Sequence, residues 1–196
     1  MPRTAVRPVT PAALPVPTPS PDPDEAARLQ ALYRTRVLDT AAEQAFDDLA
    51  LLAAHVCGVP SAAVAFLDED REWVKASVGL GAGLADAFAD TDRTDAVCSF
   101  AVLEQEAVVV PDLLRDARTR SNPLVRSAGL RFYAGAPVRV RSGHAVGAVC
   151  VLDVTPRTLS PAQVGALGAV ARQVAVLLEW RQLRPTLASV LEARRV

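Results

Sequence analysis

The sequence predicts an α+β fold in which helices cover a mostly antiparallel sheet. The first of three observations is that short apolar runs of strand length alternate with tight polar turns, as in antiparallel neighbours. The second is that longer amphipathic segments with helix-start signals lie near the two ends of the chain, where they can cover one face of a sheet. The third is composition: the 196 residues are 51% hydrophobic and 22% charged, which is typical of one packed domain.

The N-terminal part of the chain divides into a tail and two helices. Residues 1–23 contain eight of the 15 prolines and no aromatic residue, so we expect a disordered, proline-rich tail that adds nothing to the core. The folded domain, 24–183, is expected to begin with a helix, because Asp, Pro and Glu occupy the N-terminal positions at 22–25. A second helix is predicted from a capping box at 40–43 to Gly58.

The middle of the chain contains the predicted strands. Residues 61–67 and 72–78 are apolar runs on either side of a polar turn and predict a hairpin. The glycine-containing segment 79–93 is expected to be a loop, and the polar segment 112–126 a loop or a helix. Further predicted elements are a short helix at 96–103 and strands at 107–110, 130–140 and 144–152.

The last predicted element is a long helix that begins at a capping box at 160–163 and runs to about 183. Its main apolar row consists of Val164, Leu167, Ala171, Val174 and Leu178. Val170 and Leu177 form a second row beside it. The width of this apolar face has two interpretations: a stripe packed entirely on the sheet, or one shared between the sheet and a partner helix. Residues 184–196 are expected to be a short C-terminal extension.

Charge and hydropathy argue against two classes of partner. The 21 basic residues are balanced by 22 acidic ones, for a net charge of −1, so no basic excess exists to bind nucleic acid. Each apolar run is far shorter than the roughly 20 residues that span a membrane, and no secretory signal follows Met1. We therefore expect a cytoplasmic protein that binds neither nucleic acid nor membrane.

The sequence contains few groups that could perform catalysis or bind a metal. Its three cysteines, Cys57, Cys98 and Cys150, are far apart in apolar surroundings and are expected to be small buried hydrophobic residues. His55 forms a pair with Cys57, but no second pair at metal-ligand spacing accompanies it. The glycines at 79–83 lack the Lys and Ser/Thr of a phosphate-binding loop. We therefore expect no enzyme, no metal and no cofactor.

The most unusual segment is 112–123, which is followed by an aromatic-containing stretch at 131–137. Polar groups on a loop beside a rigid sheet are typical of the wall of a ligand pocket. Alternatively, Asp112 and Asp116 cap turns, and Arg118 pairs with one of them. The two interpretations are compatible.

These segments, in this order and spacing, carry a family resemblance. The matching positions are 28–32, 37–40, 46–47, 75–76, 79–80, 108–112, 116–118, 122–125, 131–137 and 147–153. With them, residues 25–183 resemble a bacterial GAF domain of the kind found in sensor histidine kinases and cyclic-dinucleotide enzymes.

The resemblance implies a fold and a site. The implied fold is an antiparallel sheet of five or six strands between the terminal helices on one side and short helices and loops on the other. The second side would form a small-molecule pocket, lined or supported by Cys98, Phe100, Asp112, Arg118, Asn122, Tyr133 and Cys150. No His follows Cys98 closely, so an attached bilin chromophore is not expected.

The function that follows is a non-catalytic sensory or regulatory module that binds a small molecule or a partner protein and dimerises through its terminal helices. With the chain ending at Val196, its output is expected to pass through a separate signalling protein. One alternative is thiol-dependent reduction of free methionine sulfoxide, which needs two thiols close together; the sequence positions of the cysteines do not indicate such a cluster. The other is a scaffold with a vestigial pocket.

Overall fold

The computed structural model describes residues 23–81, 88 and 91–193, so the predicted tail, apart from Pro23, lies outside the described residues. The strands are β1 (Ser61–Leu67), β2 (Arg71–Val78), β3 (Thr91–Asp92), β4 (Val108–Val110), β5 (Phe132–Arg139) and β6 (Ala145–Asp153). The helices are α1 (Pro23–Thr35), α2 (Gln44–Cys57), α3 (Ser99–Glu104), α4 (Pro123–Ser127) and α5 (Pro161–Ala193).

The six strands form one antiparallel sheet in the order β3-β2-β1-β6-β5-β4. The predicted α+β class is therefore confirmed, and the two-residue strand β3 is an addition to it. β1 and β6 lie side by side at the centre, and every residue in both is buried. A strand is buried on both faces only when a layer covers each face, which explains why both strands are almost continuously apolar in sequence.

The first layer consists of α1, α2 and α5, which pack on one face of the sheet. The apolar face of α5 is buried against the sheet and α2: Val164, Leu167, Val170, Ala171, Val174 and Leu178. Leu177 is partly buried against the same core. Val170, at 4% exposure, is not available to a partner helix, because α5 packs against α1, α2 and the sheet and needs the wider stripe for them, whereas Leu177 is only partly buried.

The capping boxes predicted at 40–43 and 160–163 have different outcomes, and the helix start predicted at Asp22 lies outside the described residues. At α5 the box is present: the Ser160 N–H donates to Gln163 Oε1 at 2.9 Å, and the Gln163 N–H donates to Ser160 Oγ at 3.3 Å. At α2 it is absent, and Glu43 precedes the helix without a side-chain cap. The reason is Lys75, whose Nζ lies 2.8 Å from both Thr40 Oγ1 and Glu43 Oε1. This buried ammonium engages the two side chains that would have formed the box.

Helix α5 is longer than predicted and continues past Pro185 to Ala193. Its Pro161–Leu183 part is long and apolar enough to cross a membrane by length and composition. Many of these apolar residues are buried against the sheet and α2. Packing in the domain core therefore accounts for the apolar residues on the inner side of this helix, whereas Val176, Trp180 and Leu183 are exposed.

The second layer consists of α3, α4 and neighbouring loops, and we call the sheet face beneath it the loop face. Its larger buried side chains are Phe88, Val97, Leu113, Val125, Leu130 and Tyr133. The prediction of short helices and loops on this side is confirmed.

Gly147 provides a test of the tight contact between β1 and β6. A Cβ at this position would lie 2.2 Å from Ala65 O and within 2.9 Å of Phe66. We expect Gly147→Ala to lower the free energy of unfolding by about 1–3 kcal/mol, because the backbone of β1 cannot move aside without breaking strand pairing. The measurement is urea unfolding followed by tryptophan fluorescence.

The matched control is Gly165→Ala in α5, where a Cβ meets nothing within 4 Å. Because alanine favours helix, this substitution is expected to raise the free energy of unfolding by about 0.5–1 kcal/mol. Equal effects of the two substitutions would contradict the close approach at Gly147.

Candidate functional site

Small side chains form the centre of the loop face. They come from three adjacent strands that pair with one another: Ala63, Ala65, Gly135, Ala148 and Cys150. The ring of Tyr133 lies over this floor. A Cβ on Gly135 would lie 2.1 Å from the Tyr133 hydroxyl. Glycine at this position is therefore what allows the phenol to lie flat over the strand.

Four buried polar side chains gather above this floor: Glu72, Cys98, Tyr133 and Cys150. Cys98 Sγ lies 3.4 Å from Cys150 Sγ. Among the described residues, none provides a hydrogen-bond partner of good geometry for either oxygen of the Glu72 carboxylate or for the Tyr133 hydroxyl. The expectation that the cysteines do not cluster is therefore wrong for two of them, because α3 brings Cys98 over a strand 52 residues later in the chain.

Burial controls the protonation of this cluster. It raises the pKa of Glu72 to about 7, and the nearby thiol and backbone N–H of Cys98 offset part of that effect. The pKa of Cys98 is raised well above its ordinary value by its hydrogen bond with Cys150 and by burial. Burial, followed by the neighbouring thiols, also raises the pKa of Tyr133. At neutral pH Cys98 and Tyr133 are therefore uncharged, whereas Glu72 changes its charge near this pH.

Arg118 connects the loop after β4 to α3. It donates Nε and Nη2 to the Asp116 carboxylate at 3.0 and 2.7 Å, and Nη1 to Glu104 at 3.1 Å. Its guanidinium carbon lies 5.3 Å from the centre of the Phe100 ring. Asp116 Oδ1 also accepts from the Arg118 backbone N–H at 2.9 Å. The cap-and-ion-pair interpretation thus describes what these side chains do within the fold.

Asn122 lies at the start of α4. Its Oδ1 accepts from the Val125 N–H at 3.0 Å, and its Nδ2 donates to Asp95 O at 3.0 Å. Both ends of the amide are thus engaged in placing α4 against the segment before α3. Asn122 consequently holds the loop face in position and does not join the buried cluster.

Asp112 lies elsewhere, in a groove of about 670 Å³ that is open to solvent. Its carboxylate accepts from Arg131 Nε and Nη2 at 2.9 and 2.7 Å. This hydrogen-bonded pairing holds the pKa of Asp112 below its ordinary value. The groove also contains Arg115, Asp116 and Arg157. It is a charged surface feature in which Asp112 is already paired.

The seven predicted site residues therefore fall into separate groups. Cys98, Tyr133 and Cys150 meet in the buried cluster. Phe100 and Arg118 contact each other, and Asp112 and Asn122 lie apart from both groups. No group of three or more potential metal-ligating side chains occurs within residues 23–81, 88 and 91–193.

Glu72 is the member of the cluster that sequence reasoning missed. The one available signal is that Glu72 lies two residues before the apolar Val74 in a strand, and therefore on the same face of the sheet. Arg71 and Lys75 are charged as well, and Lys75 is also buried, so the pattern by itself does not indicate which charged residue joins the cluster.

Glu72 gives a pH-dependent prediction. Its pKa is 4.5 in the unfolded chain and about 7 in the folded one, so between these values the folded state binds more protons and stability falls as pH rises. Glu72→Gln is never charged. We expect it to match the wild type at pH 4.5 and to exceed its free energy of unfolding by up to about 3 kcal/mol at pH 8. Urea unfolding at the two pH values measures the difference.

The control for this prediction is Glu106→Gln, which changes an exposed glutamate. It should leave the dependence of stability on pH as it is in the wild type. A difference between Glu72→Gln and wild type that stays constant across the pH range would contradict the burial of an ionisable carboxylate.

Comparisons with known proteins identify the family and the fold. The GAF domain model matches residues 41–178. Cyclic di-GMP phosphodiesterase PA2567 of Pseudomonas aeruginosa is 33% identical over 153 residues, which cover 77% of this chain and 25% of that protein. The PixJ GAF domain of Thermosynechococcus elongatus has a TM-score of 0.62 at 16% identity, over 85% of this chain and 96% of that one.

A GAF domain/HD domain protein of Geobacter sulfurreducens has a TM-score of 0.60 at 18% identity, over 79% of this chain and 98% of that one. At such identities the two solved structures show the fold alone.

These comparisons also bear on catalysis. The prediction that the protein is not an enzyme is corrected, because a relative at 33% identity is named a phosphodiesterase. The chain spans a quarter of that relative's length. A lack of catalytic motifs in 196 residues therefore does not separate this protein from enzymes. The family model covers most of the described fold, from α2 through the buried part of α5, and the chain belongs to the GAF domain family.

Proposed function

We propose that this GAF domain is a regulatory module of a signalling protein, that it binds a small molecule at the loop face, and that it pairs with a second copy through α5. The signal would pass through the terminal helices to an output module. A cytoplasmic location suits its three free cysteines, because thiols are kept reduced there.

The ligand proposal rests on one observation: three buried oxygen atoms, two on Glu72 and one on Tyr133, have no hydrogen-bond partner of good geometry among the described residues, with only the Cys98 thiol and backbone N–H nearby. Leaving one such group unsatisfied costs about 1–3 kcal/mol, and folded proteins rarely do so without a reason. A bound molecule with N–H or O–H groups would satisfy these oxygens. The floor beneath them is already buried, since Ala63, Ala65 and Ala148 are 0–1% exposed, so the apolar part of the molecule would pack there after the covering side chains move aside.

The two alternatives differ from this proposal in what they require. Reduction of free methionine sulfoxide needs a thiolate that an amino acid can reach, and the residues Cys98 and Cys150 are 2% and 0% exposed. A scaffold with a vestigial pocket needs no ligand, but then the three unpaired oxygens have no explanation. The buried oxygens therefore favour a ligand-binding regulatory site.

Native mass spectrometry of the purified full chain tests the ligand proposal. We expect a non-covalent small molecule to accompany the wild type, and Tyr133→Phe to bind it up to about tenfold more weakly, because one hydrogen bond is lost.

Arg115→Ala is the matched control, since Arg115 lies in the surface groove and its side chain is 87% exposed. It should retain the molecule at the wild-type level. If the small molecule is lost from Arg115→Ala and retained by Tyr133→Phe, the ligand binds in the surface groove and not in the buried cluster. A wild-type mass equal to that of the bare chain would favour the vestigial pocket.

The dimer proposal rests on exposed apolar residues of α5. Val176, Trp180 and Leu183 are 43%, 58% and 52% exposed and follow one another at spacings of four and three. The sequence continues this spacing with Leu187 and Val190. Such a seven-residue repeat is typical of a helix that pairs with another helix. A second copy supplies the same stripe, so a symmetric pairing would cover both.

Trp180→Glu tests this pairing. A tryptophan at the centre of an interface commonly contributes about 2 kcal/mol, so the variant is expected to associate about 30-fold more weakly or worse. Analytical ultracentrifugation over a range of concentrations gives the dissociation constant. Gln182→Glu adds the same charge on another side of α5 and should associate like the wild type. A monomeric wild type, or equal effects of both variants, would contradict the proposal.

A further inference from the structure

Two thiols in the buried cluster have a geometry that the ligand proposal does not use. We propose that Cys98 and Cys150 form a redox site, which reduces hydrogen peroxide and is itself converted to an intramolecular disulfide. This proposal does not depend on ligand binding or on dimerisation, because the reaction needs the protein and the oxidant alone.

The first argument is the position of the two sulfur atoms. They are 3.4 Å apart, and a disulfide requires about 2.05 Å, so an approach of roughly 1.4 Å closes the bond. Cys98 precedes α3, whereas Cys150 lies in the centre of β6. The central strand is fixed by pairing on both sides, and α3 is a helix of six residues. The movement that closes the bond is therefore expected on the Cys98 side.

The second argument is a proton acceptor beside the thiols. The Glu72 carboxylate is a neighbour of Cys98 and has no competing hydrogen-bond partner among the described residues. Thiolate, and not thiol, is the nucleophile in such chemistry. Burial has made Glu72 a stronger base than an ordinary glutamate, with a pKa of about 7. The pKa of Cys98 is raised well above its ordinary value, so Glu72 acts as a general base that takes this proton as the sulfur attacks the oxidant, and no standing thiolate forms at neutral pH.

The reaction balances with peroxide as the only co-reactant. The Cys98 thiol transfers its proton to Glu72, and the sulfur attacks one oxygen of the peroxide. The O–O bond breaks, and the leaving hydroxide takes the proton to become water, which leaves a sulfenic acid on Cys98. Cys150 then attacks the Cys98 sulfur, the S–O bond breaks, and its thiol proton leaves with the hydroxide as a second water. The thiol pair loses two electrons, which reduce the peroxide.

The burial of the site selects a small oxidant. Cys98 and Cys150 are 2% and 0% exposed, so a disulfide such as oxidised glutathione cannot contact either sulfur in this conformation. Hydrogen peroxide is close to water in size and polarity, and brief local opening of the fold is enough to admit it.

Cys57 provides a control within the same molecule. It is buried to a similar degree, at 4% exposure, but belongs to the opposite face of the sheet. Burial raises its pKa to about 11, and no sulfur partner accompanies it in the described part of the chain. Oxidation driven by burial or unfolding alone would affect all three cysteines, whereas the proposed site involves two.

The experiment uses the reduced full chain, which is exposed to hydrogen peroxide, unfolded, alkylated and digested with trypsin. Cleavage after Lys and Arg places the three cysteines in separate peptides, 37–71, 94–115 and 142–157. We expect peptides 94–115 and 142–157 to be joined by a disulfide that dithiothreitol reverses, and peptide 37–71 to remain alkylated. The proposal is overturned if Cys98 and Cys150 stay alkylated under conditions that fully oxidise free glutathione, or if Cys57 crosslinks equally.

Variants test the order of the steps. Cys57→Ser should form the disulfide at the wild-type rate, and Cys150→Ser should accumulate a dimedone-reactive sulfenic acid on Cys98. Glu72→Gln should form the same disulfide about tenfold more slowly or worse, because it cannot accept the proton. An unchanged rate of disulfide formation in Glu72→Gln would overturn the role of Glu72. A dimedone adduct on Cys57 of Cys150→Ser, with none on Cys98, would overturn the redox site. The wild-type peptide map decides the proposal even where a variant fails to fold.

Discussion

The pairing of β1 with β6 is the contact on which the rest of this fold depends. It joins Ser61 to Leu152 and continues to Phe66 and Gly147, so the first strand of the domain lies beside the last. Every residue in both strands is buried. The other four strands extend the sheet outward from this pair, and the two layers attach to its two faces. A change that separates these strands would therefore affect the helical layer and the loop face together.

The two faces of the central pair differ in what they can hold. On the helical side, larger residues such as Phe66 and Val149 pack against α2 and α5 as an ordinary apolar core. On the loop face, alanine, glycine and cysteine side chains leave room for a phenol, a carboxylate and two thiols. Unpaired polar groups in a dry interior reduce stability. Their presence here is a reason to regard the loop face as functional and the helical face as structural.

Helix α5 connects the helical side of the sheet to the outside of the domain. Its inner side, with Leu167 and Val174, completes the core, while Val176 and Trp180 on its outer side remain exposed. The glutamate before α2, Glu43, is also bound by Arg181 near the end of the buried part of α5. Lys75 and Arg181 therefore hold the start of α2 between the sheet and α5. A displacement of the sheet would reach α5 through these ion pairs as well as through the core.

The sequence by itself determined the elements of this protein and the family to which it belongs. Strand alternation, turn residues and helix-start signals are local properties, so the hairpin, the two long strands and the capping box at Ser160 were predictable. Only the tertiary structure decided which side chains meet. Lys75 binds Thr40 and Glu43, so the capping box predicted there does not form. The position of α3 on the sheet places Cys98 beside Cys150. Burial of Glu72 likewise depended on strand register and on a second layer. Contacts between residues far apart in the chain leave no local pattern, because their spacing follows from how the layers pack.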